Sequence, residues 1–367
     1  MNIFLAGNHS MAGSIGGSEK VLSQIAESLH KDFGYNCCIL SKSQKSLPII
    51  YNNILYENTG STYSDFNKKI GKADHLLIYG DAFIFWKDIV LNSEKIKCSK
   101  SIALVGMNSM LKDVRLFSTF CKKQNQFKVI THSKNYIDYF MCVRNKIPVN
   151  VIPNGIDLKE FDDNRISFRN KYGILEKHII LCVSNFFPGK GQDLLVPIMK
   201  KVQEINKENI FIFVCSSFDA PFEKYLRNQF FINAKNNKIN FRLLCDIPRE
   251  DTIGAFNDAD IFIFPTQKEV APLVVLEAMA SKTPWVSMEV GNVKELNGGT
   301  IIENQNKDVE NNFIFNNEIN ERFSKALLSL LENKERREEL AKEGREQVEK
   351  YFSFNIIAEK YNEIVTK

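Results

Sequence analysis

Several features that mark membrane-spanning, secreted or disulfide-stapled proteins are missing from this sequence. Its 367 residues contain no run of 18 or more apolar residues, so no segment is predicted to span a membrane. The eight cysteines form no C-x-x-C pair and no metal-ligand spacing, which favours buried free thiols in a reducing cytoplasm. The start, Met1–Gly7, is too short an apolar run for a signal peptide and has no positive charge before it. We therefore expect a cytoplasmic protein.

Familiar cofactor and metal signatures are also absent. There is no G-x-G-x-x-G turn with an acid at the ribose distance, so a nicotinamide site is not expected. There is no G-x-x-x-x-G-K-[ST] loop, which leaves an ATPase interpretation with little support. No D-x-D-like pair lies near a candidate nucleotide site and no cluster of His and Cys occurs, so we expect no bound metal.

Length and charge indicate two domains of unlike character. A chain of this length exceeds one ordinary hydrophobic core, and 44% hydrophobic residues are enough to build two. Residues 1–155 hold 19 Lys and Arg against 11 Asp and Glu, a net +8, while the remainder holds 29 against 33, a net −4. This imbalance favours an anionic partner or surface for the first half. Ordinary solvated lysines are the alternative.

Short apolar runs alternate with amphipathic stretches in two separate series. Such alternation predicts parallel sheets covered by helices on both faces, hence an α/β protein with two doubly wound, Rossmann-like domains. The turn Pro153-Asn154-Gly155 closes the first series, and we place the hinge there. The predicted strands are 2–6, 76–79, 101–105, 128–131, 149–152, 178–183, 210–215, 240–244, 260–264 and 284–287. The predicted helices are 18–31, 110–122, 134–144, 191–205, 221–236, 249–258, 273–281 and, with a break at 351–353, 317–366.

The tract from Glu269 to Ala280 combines two acids with an apolar helix. Pro272 is tolerated at the first helical position because its missing N–H would have no partner there, so we predict a helix that starts at about Pro272. Glu269 then lies on the preceding loop, and Glu277 lies near the second turn. The free N–H groups of the first turn and the helix dipole favour an anion. A sugar nucleotide, with phosphates between hydroxyl groups, fits this arrangement; a buried helix with two solvated acids is the alternative.

Two glycine-containing loops follow predicted strands and precede helices. Gly16 and Gly17 lie in the first, where paired glycines let the backbone approach a ligand and the helix terminus favours phosphate. Lys190, flanked by Gly189 and Gly191 in the second, is within reach of a diphosphate. A plain turn and a surface lysine are the alternatives. In the second domain such loops share the carboxyl edge of one sheet, so we expect them to line one crevice.

In order and spacing, these motifs together resemble the family 4 glycosyltransferases of the GT-B fold. The resemblance runs nearly end to end and is specific for the family, but not for the donor or the acceptor. The residues that carry it are Gly16, Gly17, Glu19, Val151 to Asp157, Lys190, Gly191, Ala259 to Pro265 and Glu269 to Ala280. It implies two Rossmann-like domains that face each other across a cleft. On this resemblance, residues 1–155 are expected to form the acceptor side, with a last helix (353–367) packed back on them, and residues 156–352 to bind the nucleotide sugar.

The resemblance also implies roles for individual residues. Glu269 resembles the acid that contacts the donor sugar, Glu277 the acid that holds the ribose hydroxyls, and Lys190 the lysine that binds the diphosphate. The backbone of Ile247 is expected to read the base, and amides at the helix start to hold the phosphates. The predicted donor-binding residues are Gly16, Gly17, Asn185, Lys190, Ile247, Glu269, Pro272, Leu273, Val274 and Glu277. The predicted catalytic residues are Glu269, Lys190 and Asn108.

Three positions depart from the family pattern. Asn185 stands where an arginine is usual, which removes one positive charge from the leaving-group site. The loop of residues 105–110 lacks the usual histidine, so either Asn108 takes over part of that role or the role is absent. Pro272 replaces a glycine and is compatible with a helix start. His132 lies nearby in sequence, and we expect a structural role for it.

The predicted function is that of a retaining glycosyltransferase. It moves a hexose-type sugar from a UDP- or GDP-linked donor to a glycan or lipid-linked acceptor, in the synthesis of cell-surface polysaccharides or glycoconjugates. No metal or other cofactor is expected, because lysine, amides and a helix dipole stabilise the leaving diphosphate. A sugar-nucleotide-binding scaffold without turnover, serving as a partner subunit of another transferase, is the alternative from another class. A UDP-sugar epimerase is a second enzymatic alternative.

A basic stretch in the first domain suggests peripheral contact with an anionic membrane. Its charges are Lys95, Lys97, Lys100, Lys112, Arg115, Lys122 and Lys123. Phe117 and Phe120 lie among the last of them. An anionic surface attracts each nearby basic residue by roughly 1 kcal/mol. We therefore expect contact with the inner face of a membrane and no nucleic-acid partner; a soluble face without a partner is the alternative.

Overall fold

The chain divides into two compact units in the computed structural model. The model describes residues 1–7, 17–41, 48–80, 82–106, 108–163, 166–216, 219–235, 239–303 and 316–367. The first unit, here called the N-unit, consists of Met1–Gly155 and Phe354–Lys367, and the second, the C-unit, consists of Ile156–Ser353. Among the described residues, no helix combines the length and the apolar character needed to cross a membrane.

The N-unit is built on an eight-stranded sheet. Its strands are β1 (Asn2–Gly7), β2 (Asn36–Ser41), β3 (Ile49–Tyr51), β4 (Ile54–Asn58), β5 (His75–Tyr79), β6 (Ser99–Leu104), β7 (Lys128–Thr131) and β8 (Val149–Val151). They lie in the order β3-β4-β2-β1-β5-β6-β7-β8, with β3 antiparallel to β4 and the other pairs parallel. The sequence did not predict β2, β3 or β4. β3 and β4 form an edge hairpin whose turn residues, Asn52 and Asn53, have positive φ, as two-residue hairpin turns require.

Helices cover the N-unit sheet. Those before the hinge are α1 (Gly17–Phe33), α2 (Tyr63–Ile70), α3 (Trp86–Leu91), α4 (Asn108–Lys112), α5 (Val114–Lys122) and α6 (Ile137–Arg144). On α1, residues at helical spacing, among them Leu22, Ile25 and Leu29, are buried, as an amphipathic helix requires. The predicted helix 110–122 is divided, because the carboxylate of Asp113 accepts the N–H of Leu116 and starts α5 anew.

The C-unit contains a six-stranded parallel sheet. Its strands are β9 (His178–Val183), β10 (Asn209–Cys215), β11 (Phe241–Cys245), β12 (Ile261–Phe264), β13 (Trp285–Met288) and β14 (Gly299–Ile302). The order β11-β10-β9-β12-β13-β14 means that the chain winds outward from β9, then returns to pair β12 with β9 and winds the other way. β9 and β10 are buried along their whole length, which explains their continuous apolar runs. The two sheets confirm the predicted pair of doubly wound α/β units.

The C-unit helices lie before, between and after these strands. They are α7 (Leu158–Asp162), α8 (Phe168–Tyr172), α9 (Val196–Ile205), α10 (Ala220–Lys235), α11 (Arg249–Asp258), α12 (Leu273–Ala280), α13 (Asn317–Glu332) and α14 (Lys334–Gln347). Pro272 is the N-cap of α12, with extended backbone angles, so the helix begins one residue after the proline.

The last helix, α15 (Phe354–Thr366), belongs to the N-unit. Its carboxyl end accepts a hydrogen bond from Lys128, whose Nζ donates to the carbonyl of Ile364 at 2.7 Å. At its start, Gly155 is packed so closely that a Cβ atom there would lie 2.8 Å from Phe354 and 2.9 Å from Ile357. The glycine of the Pro-Asn-Gly turn is therefore required by close packing against this helix.

Candidate functional site

Two loops meet at the switch point of the C-unit sheet. One follows β9 and carries Lys190, and the other follows β12 and carries Glu269. β9 and β12 are hydrogen-bonded neighbours from which the chain winds in opposite directions. Open α/β sheets bind ligands at such a point, outside the carboxyl ends of the strands. The topology thus brings together two residues that the sequence singled out separately.

Lys190 and Glu269 form an ion pair at this point. Nζ of Lys190 donates to Oε1 of Glu269, although the residues are 79 positions apart in sequence. Their side chains are 29% and 25% exposed, so solvent reaches both charges. A pair that is partly open to water contributes little to stability, and each member can exchange its partner for a ligand group.

Backbone contacts hold these two loops together. The N–H of Gln267 donates to the carbonyl of Gly189 at 3.0 Å. Gly191 has a φ of +80°, and a Cβ atom there would meet the carbonyl oxygen of Pro265 at 2.2 Å. This position therefore needs glycine for its backbone angle and for space. The loop geometry fixes where the lysine and the acid emerge.

The first turn of α12 lies at the same edge, because α12 follows β12. The N–H groups of Leu273 and Val274 belong to this turn, where an α-helix offers its own amides no acceptor. Pro272, at the N-cap, accepts no hydrogen bond with its side chain. The helix dipole adds partial positive charge there. Together with Lys190, the turn forms an edge suited to phosphate groups.

Glu277 is held by an arginine that the sequence analysis did not single out. Arg249, the first residue of α11, donates to Oε1 of Glu277 at 2.6 Å, and to the two carboxylate oxygens of Glu160 at 2.8 and 3.1 Å. The Glu277 side chain is only 6% exposed. The guanidinium also lies 5.6 Å from the ring centre of Phe161. Burial alone would lower the pKa of Arg249, but the charges of Glu277 and Glu160 raise it, so the arginine stays charged.

The other predicted C-unit residues follow neighbouring strands. Oδ1 of Asn185, just after β9, accepts a hydrogen bond from Oγ of Ser216, just after β10, at 3.0 Å. Ile247 follows β11 and is partly buried against the C-unit core. Asp246, before it, has a φ of +54°, which turns the chain sharply at the end of the strand. Loops after three strands of one sheet, β9, β11 and β12, therefore carry predicted donor-site residues.

The predicted N-unit residues are only partly covered by the structure. Gly16 lies outside the described residues, and Gly17 is the first residue of α1. Asn108 begins α4, but its side chain lies outside the described part. The turn before it is fixed, because Gly106 (φ +101°) donates its N–H to the buried carboxylate of Asp138 at 2.8 Å.

His132 is buried in the N-unit. Its Nδ1 donates to the carbonyl of Ile152 at 2.8 Å, and its ring packs against Tyr79. Burial lowers the pKa of His132 to about 4, so the ring is neutral at pH 7. These contacts link β7 to the segment after β8 and are structural in kind.

Acidic groups elsewhere in the C-unit serve the fold. Asp258 and Asp260 have D-x-D spacing, but they precede β12, at the edge of the sheet opposite to Lys190 and Glu269. Asp258 accepts the N–H of Arg169 at 2.8 Å, and Asp260 accepts its guanidinium at 3.0 Å. Throughout the ranges that the structure covers, no three His, Cys, Asp or Glu side chains form a group that could hold a metal ion.

The basic stretch of the N-unit is not one continuous surface. Lys100 is buried, and its Nζ donates to the carbonyls of Ile96 and Cys98 at 3.0 and 3.1 Å. Phe120 is fully buried as well. The interpretation of these two residues as part of a membrane-facing surface was therefore wrong, because both belong to the core beside β6. The exposed members are Lys95, Lys97, Lys112, Arg115 and Lys122.

Comparisons with known sequences match one family model and several curated proteins. The family model described as glycosyl transferases group 1 matches residues 164–347, half of the chain. The putative glycosyltransferase YtcC of Bacillus subtilis is 25% identical over 231 residues, 58% of this chain and 53% of that protein. The GDP-mannose-dependent monoacylated alpha-(1-6)-phosphatidylinositol monomannoside mannosyltransferase of Corynebacterium glutamicum is 26% identical over 229 residues, 58% of this chain and 55% of that protein. The chain thus spans about half the length of these relatives.

Comparison with solved structures covers the whole chain. Anabaena HepE, solved in complex with UDP-glucose, matches 99% of this chain and 98% of its own, with a TM-score of 0.77 at 16% identity. At this level of identity the likeness shows the fold alone. It confirms the predicted GT-B architecture.

Proposed function

This chain belongs to the glycosyl transferases group 1, and we propose that it is a retaining glycosyltransferase with a UDP- or GDP-linked hexose-type donor. The observation that carries this proposal is the Lys190–Glu269 pair at the switch point, next in the chain to the first turn of α12, whose N-cap makes no side-chain hydrogen bond. One cation, unpaired amides and an acid at a sheet's carboxyl edge suit a diphosphate with a sugar attached.

We propose for each group the role that the resemblance to the family implies. Lys190 and the amides of Leu273 and Val274 stabilise the negative charge that develops on the leaving diphosphate. Glu269 accepts a hydrogen bond from a hydroxyl of the donor sugar. Glu277, held by Arg249, accepts one from a ribose hydroxyl, and the backbone at 247 contacts the base. These groups supply charge neutralisation without a metal, so we expect turnover to persist in excess EDTA.

We infer a glycan or lipid-linked acceptor, used in cell-surface polysaccharide or glycoconjugate synthesis. The Corynebacterium glutamicum relative is named for a phosphatidylinositol-linked acceptor, and residues 1–155 of this chain carry a net charge of +8. On α6, Ile137, Phe140 and Val143 are 41%, 57% and 55% exposed, next to Arg144 and Lys146. An exposed apolar stripe with basic neighbours fits peripheral contact with an anionic membrane on its cytoplasmic face.

The donor is tested by thermal shift and by transfer or hydrolysis assays across UDP-, GDP- and ADP-sugars, with and without EDTA. The variant is Lys190→Ala. Its matched control is Lys294→Ala, because Lys294 also pairs with a partly exposed acid, Glu289, at 2.7 Å. We expect one nucleotide class to stabilise the wild type and the control, but not the Lys190 variant. A chain that binds no sugar nucleotide would contradict the proposal, and activity that needs added Mg²⁺ or Mn²⁺ would contradict the metal-free site.

A binding scaffold without turnover is the second candidate. It is favoured by Asn185, whose side-chain oxygen accepts from Ser216 and which brings no positive charge to the leaving group. Tight binding of a sugar nucleotide, without transfer or hydrolysis across the donor panel, would support it. Conversion of the donor sugar without any acceptor would instead indicate an epimerase.

The membrane contact is tested by sedimentation with anionic liposomes at low and high salt. We expect binding at low salt and loss of binding in Phe140→Ser. Phe231→Ser is the control, since Phe231 is 53% exposed on α10 of the C-unit. No binding at low salt would favour a soluble acceptor.

A further inference from the structure

Two thiols lie side by side at the carboxyl edge of the C-unit sheet. Cys215 is the last residue of β10 and Cys245 the last residue of β11, and the two are register partners in the parallel pairing. Their Sγ atoms are 3.1 Å apart, and both are free thiols. Thirty positions separate them in sequence, so no cysteine motif marks the pair.

The backbone at this pair suits a disulfide. Neighbouring strands lie about 4.8 Å apart, inside the Cα separation of about 4.4–6.8 Å that disulfides span. Bond formation needs the two sulfur atoms to approach by about 1 Å, to the usual S–S length of roughly 2.05 Å. Small side-chain rotations supply such a change, so the strands can keep their register.

The surroundings make one thiol the site of first attack. Cys245 is partly exposed, so a small oxidant can reach its sulfur from solvent, and Nη2 of Arg227 donates to that sulfur at 3.8 Å. Cys215 is buried, and burial together with the Cys245 thiol raises its pKa. Cys245 therefore reacts first, and Cys215 is placed to resolve the product.

We propose that Cys215 and Cys245 form a reversible disulfide when the protein meets a two-electron thiol oxidant of the peroxide class. The Cys245 thiolate attacks one peroxide oxygen, giving a sulfenic acid and hydroxide. The Cys215 sulfur then attacks the Cys245 sulfur, the S–O bond breaks, and water leaves with the Cys215 proton. Two thiols are oxidised and one peroxide is reduced to two waters. A dithiol reductant reverses the bond by exchange.

The disulfide would join two loops of the proposed donor site. Cys215 leads directly to Ser216, which holds Asn185, and Cys245 leads through Asp246 to Ile247. The loops are already linked, because the N–H of Asp246 donates to the carbonyl of Cys215 at 2.8 Å. The bond would hold the end of β11, and with it the segment assigned to the base, in one position and remove its adjustment on binding, so we expect weaker nucleotide binding in the oxidised protein. This regulatory part rests on the proposed function; the bond itself does not.

The bond is tested on the full chain with hydrogen peroxide. Free thiols are counted with a chromophoric reagent after denaturation, and linked peptides are identified by mass spectrometry. We expect the count to fall by two, a single Cys215–Cys245 linkage, and recovery with dithiothreitol. Cys245→Ser should keep all seven of its thiols, and Cys215→Ser should accumulate a sulfenic acid that dimedone traps. Cys182→Ser, a buried thiol on β9, is the control and should still lose two.

Each outcome decides one part of the proposal. Eight remaining thiols, or a linkage between other cysteines, would overturn the disulfide. Titration of UDP and GDP into the reduced and oxidised protein tests the regulation, with a severalfold higher Kd expected after oxidation. Equal Kd values would overturn the regulatory role alone. If the reduced protein binds neither nucleotide, the proposed donor site is contradicted. The thiol count then still tests the disulfide by itself.

Discussion

The two acids of the Glu269–Ala280 tract are eight residues apart and have opposite surroundings. Glu269 lies on a loop, is 25% exposed, and pairs with a lysine of similar exposure. Glu277 lies in the second turn of α12, is 6% exposed, and pairs with Arg249, which Glu160 holds from another side. One sequence spacing thus places one carboxylate where a ligand can reach it and another inside a charged cluster.

This difference in exposure indicates which acid can exchange its ion-pair partner for a ligand. A partly exposed pair contributes about 0–1 kcal/mol, so giving up Lys190 for a ligand costs Glu269 little. Arg249 is 25% exposed but Glu277 is nearly buried, so removing the arginine should cost up to about 3–5 kcal/mol, because a buried carboxylate then loses a compensating charge. Glu269 is therefore suited to contacts that form and break during turnover. Glu277 is suited to a fixed hydrogen bond whose geometry Arg249 sets.

The largest expected effect is the loss of stability in Arg249→Ala. This change leaves Glu277 buried without its cation, so we expect the free energy of unfolding to fall by about 3–5 kcal/mol. Urea unfolding followed by tryptophan fluorescence measures it, in a Trp86→Phe background so that Trp285 reports the C-unit core. Arg336→Ala is the control, because its ion pair with Glu339 is exposed and should contribute less than about 1 kcal/mol. An equal loss of unfolding free energy in the two variants would contradict the expected difference between the ion pair of a buried acid and an exposed ion pair.

The next effect is on turnover in Glu269→Gln. Loss of one preorganised hydrogen-bonding group that stabilises a transition state, such as an oxyanion-hole donor, costs about 10²–10³ in kcat, and we expect a loss of that size with little change in melting temperature. Glu289→Gln is the matched control: Glu289 is 26% exposed and pairs with Lys294 in the same unit. Steady-state kinetics with the best donor of the panel give the comparison. A Glu269 variant as active as the control would exclude this acid from the chemistry.

Much of the fold could be predicted because the central strands are buried on both faces. β9, β10 and β12 appear as apolar runs and were found with bounds within one residue. Of the missed strands, β2 is an inner, buried strand whose apolar run, residues 37–40, was overlooked, whereas the others lie toward the sheet edges. β3 has three residues, two of them exposed, and β14 begins with glycine and is only partly buried. Such segments carry no periodic pattern that distinguishes them from loops.

The candidate site was predictable where its signal is local. The spacing of Glu269 and Glu277 indicates loop and helix positions, but the pairing of Lys190 with Glu269 depends on β9 and β12 being neighbours. Arg249 was missed because 28 residues separate it from Glu277. One signal was present: a cation in the first turn of a helix opposes the dipole. Such a residue needs acidic partners from elsewhere in the fold, and Arg249 has two.

A smaller effect is expected on donor affinity in Glu277→Gln. Loss of a charge-assisted hydrogen bond to a ribose hydroxyl costs about 1.5–3 kcal/mol, roughly a tenfold to hundredfold rise in Kd. Calorimetric titration with the nucleoside diphosphate measures it. The decisive comparison uses the same diphosphate with 2′,3′-dideoxyribose, for which wild type and variant should bind alike. A variant that is equally impaired with both ligands would show that Glu277 acts on the fold and not on the ribose.

The smallest effect is expected for Glu160→Gln, which removes the outer member of the cluster. Arg249 keeps Glu277 as its buried partner, and Glu160 is 26% exposed, so the lost bonds should cost about 1 kcal/mol of stability. Donor Kd should stay close to the wild-type value, because the 2.6 Å bond from Arg249 to Glu277 remains. A double-mutant cycle with Glu277→Gln measures the coupling between the two acids through the shared arginine. If the two acids are coupled in unfolding free energy but not in donor affinity, Glu160 stabilises Arg249 and takes no part in donor binding. A large rise in donor Kd for Glu160→Gln would instead mean that Arg249 needs both acids for its orientation. The contact between Arg249 and Glu277 would then not be enough to position Glu277.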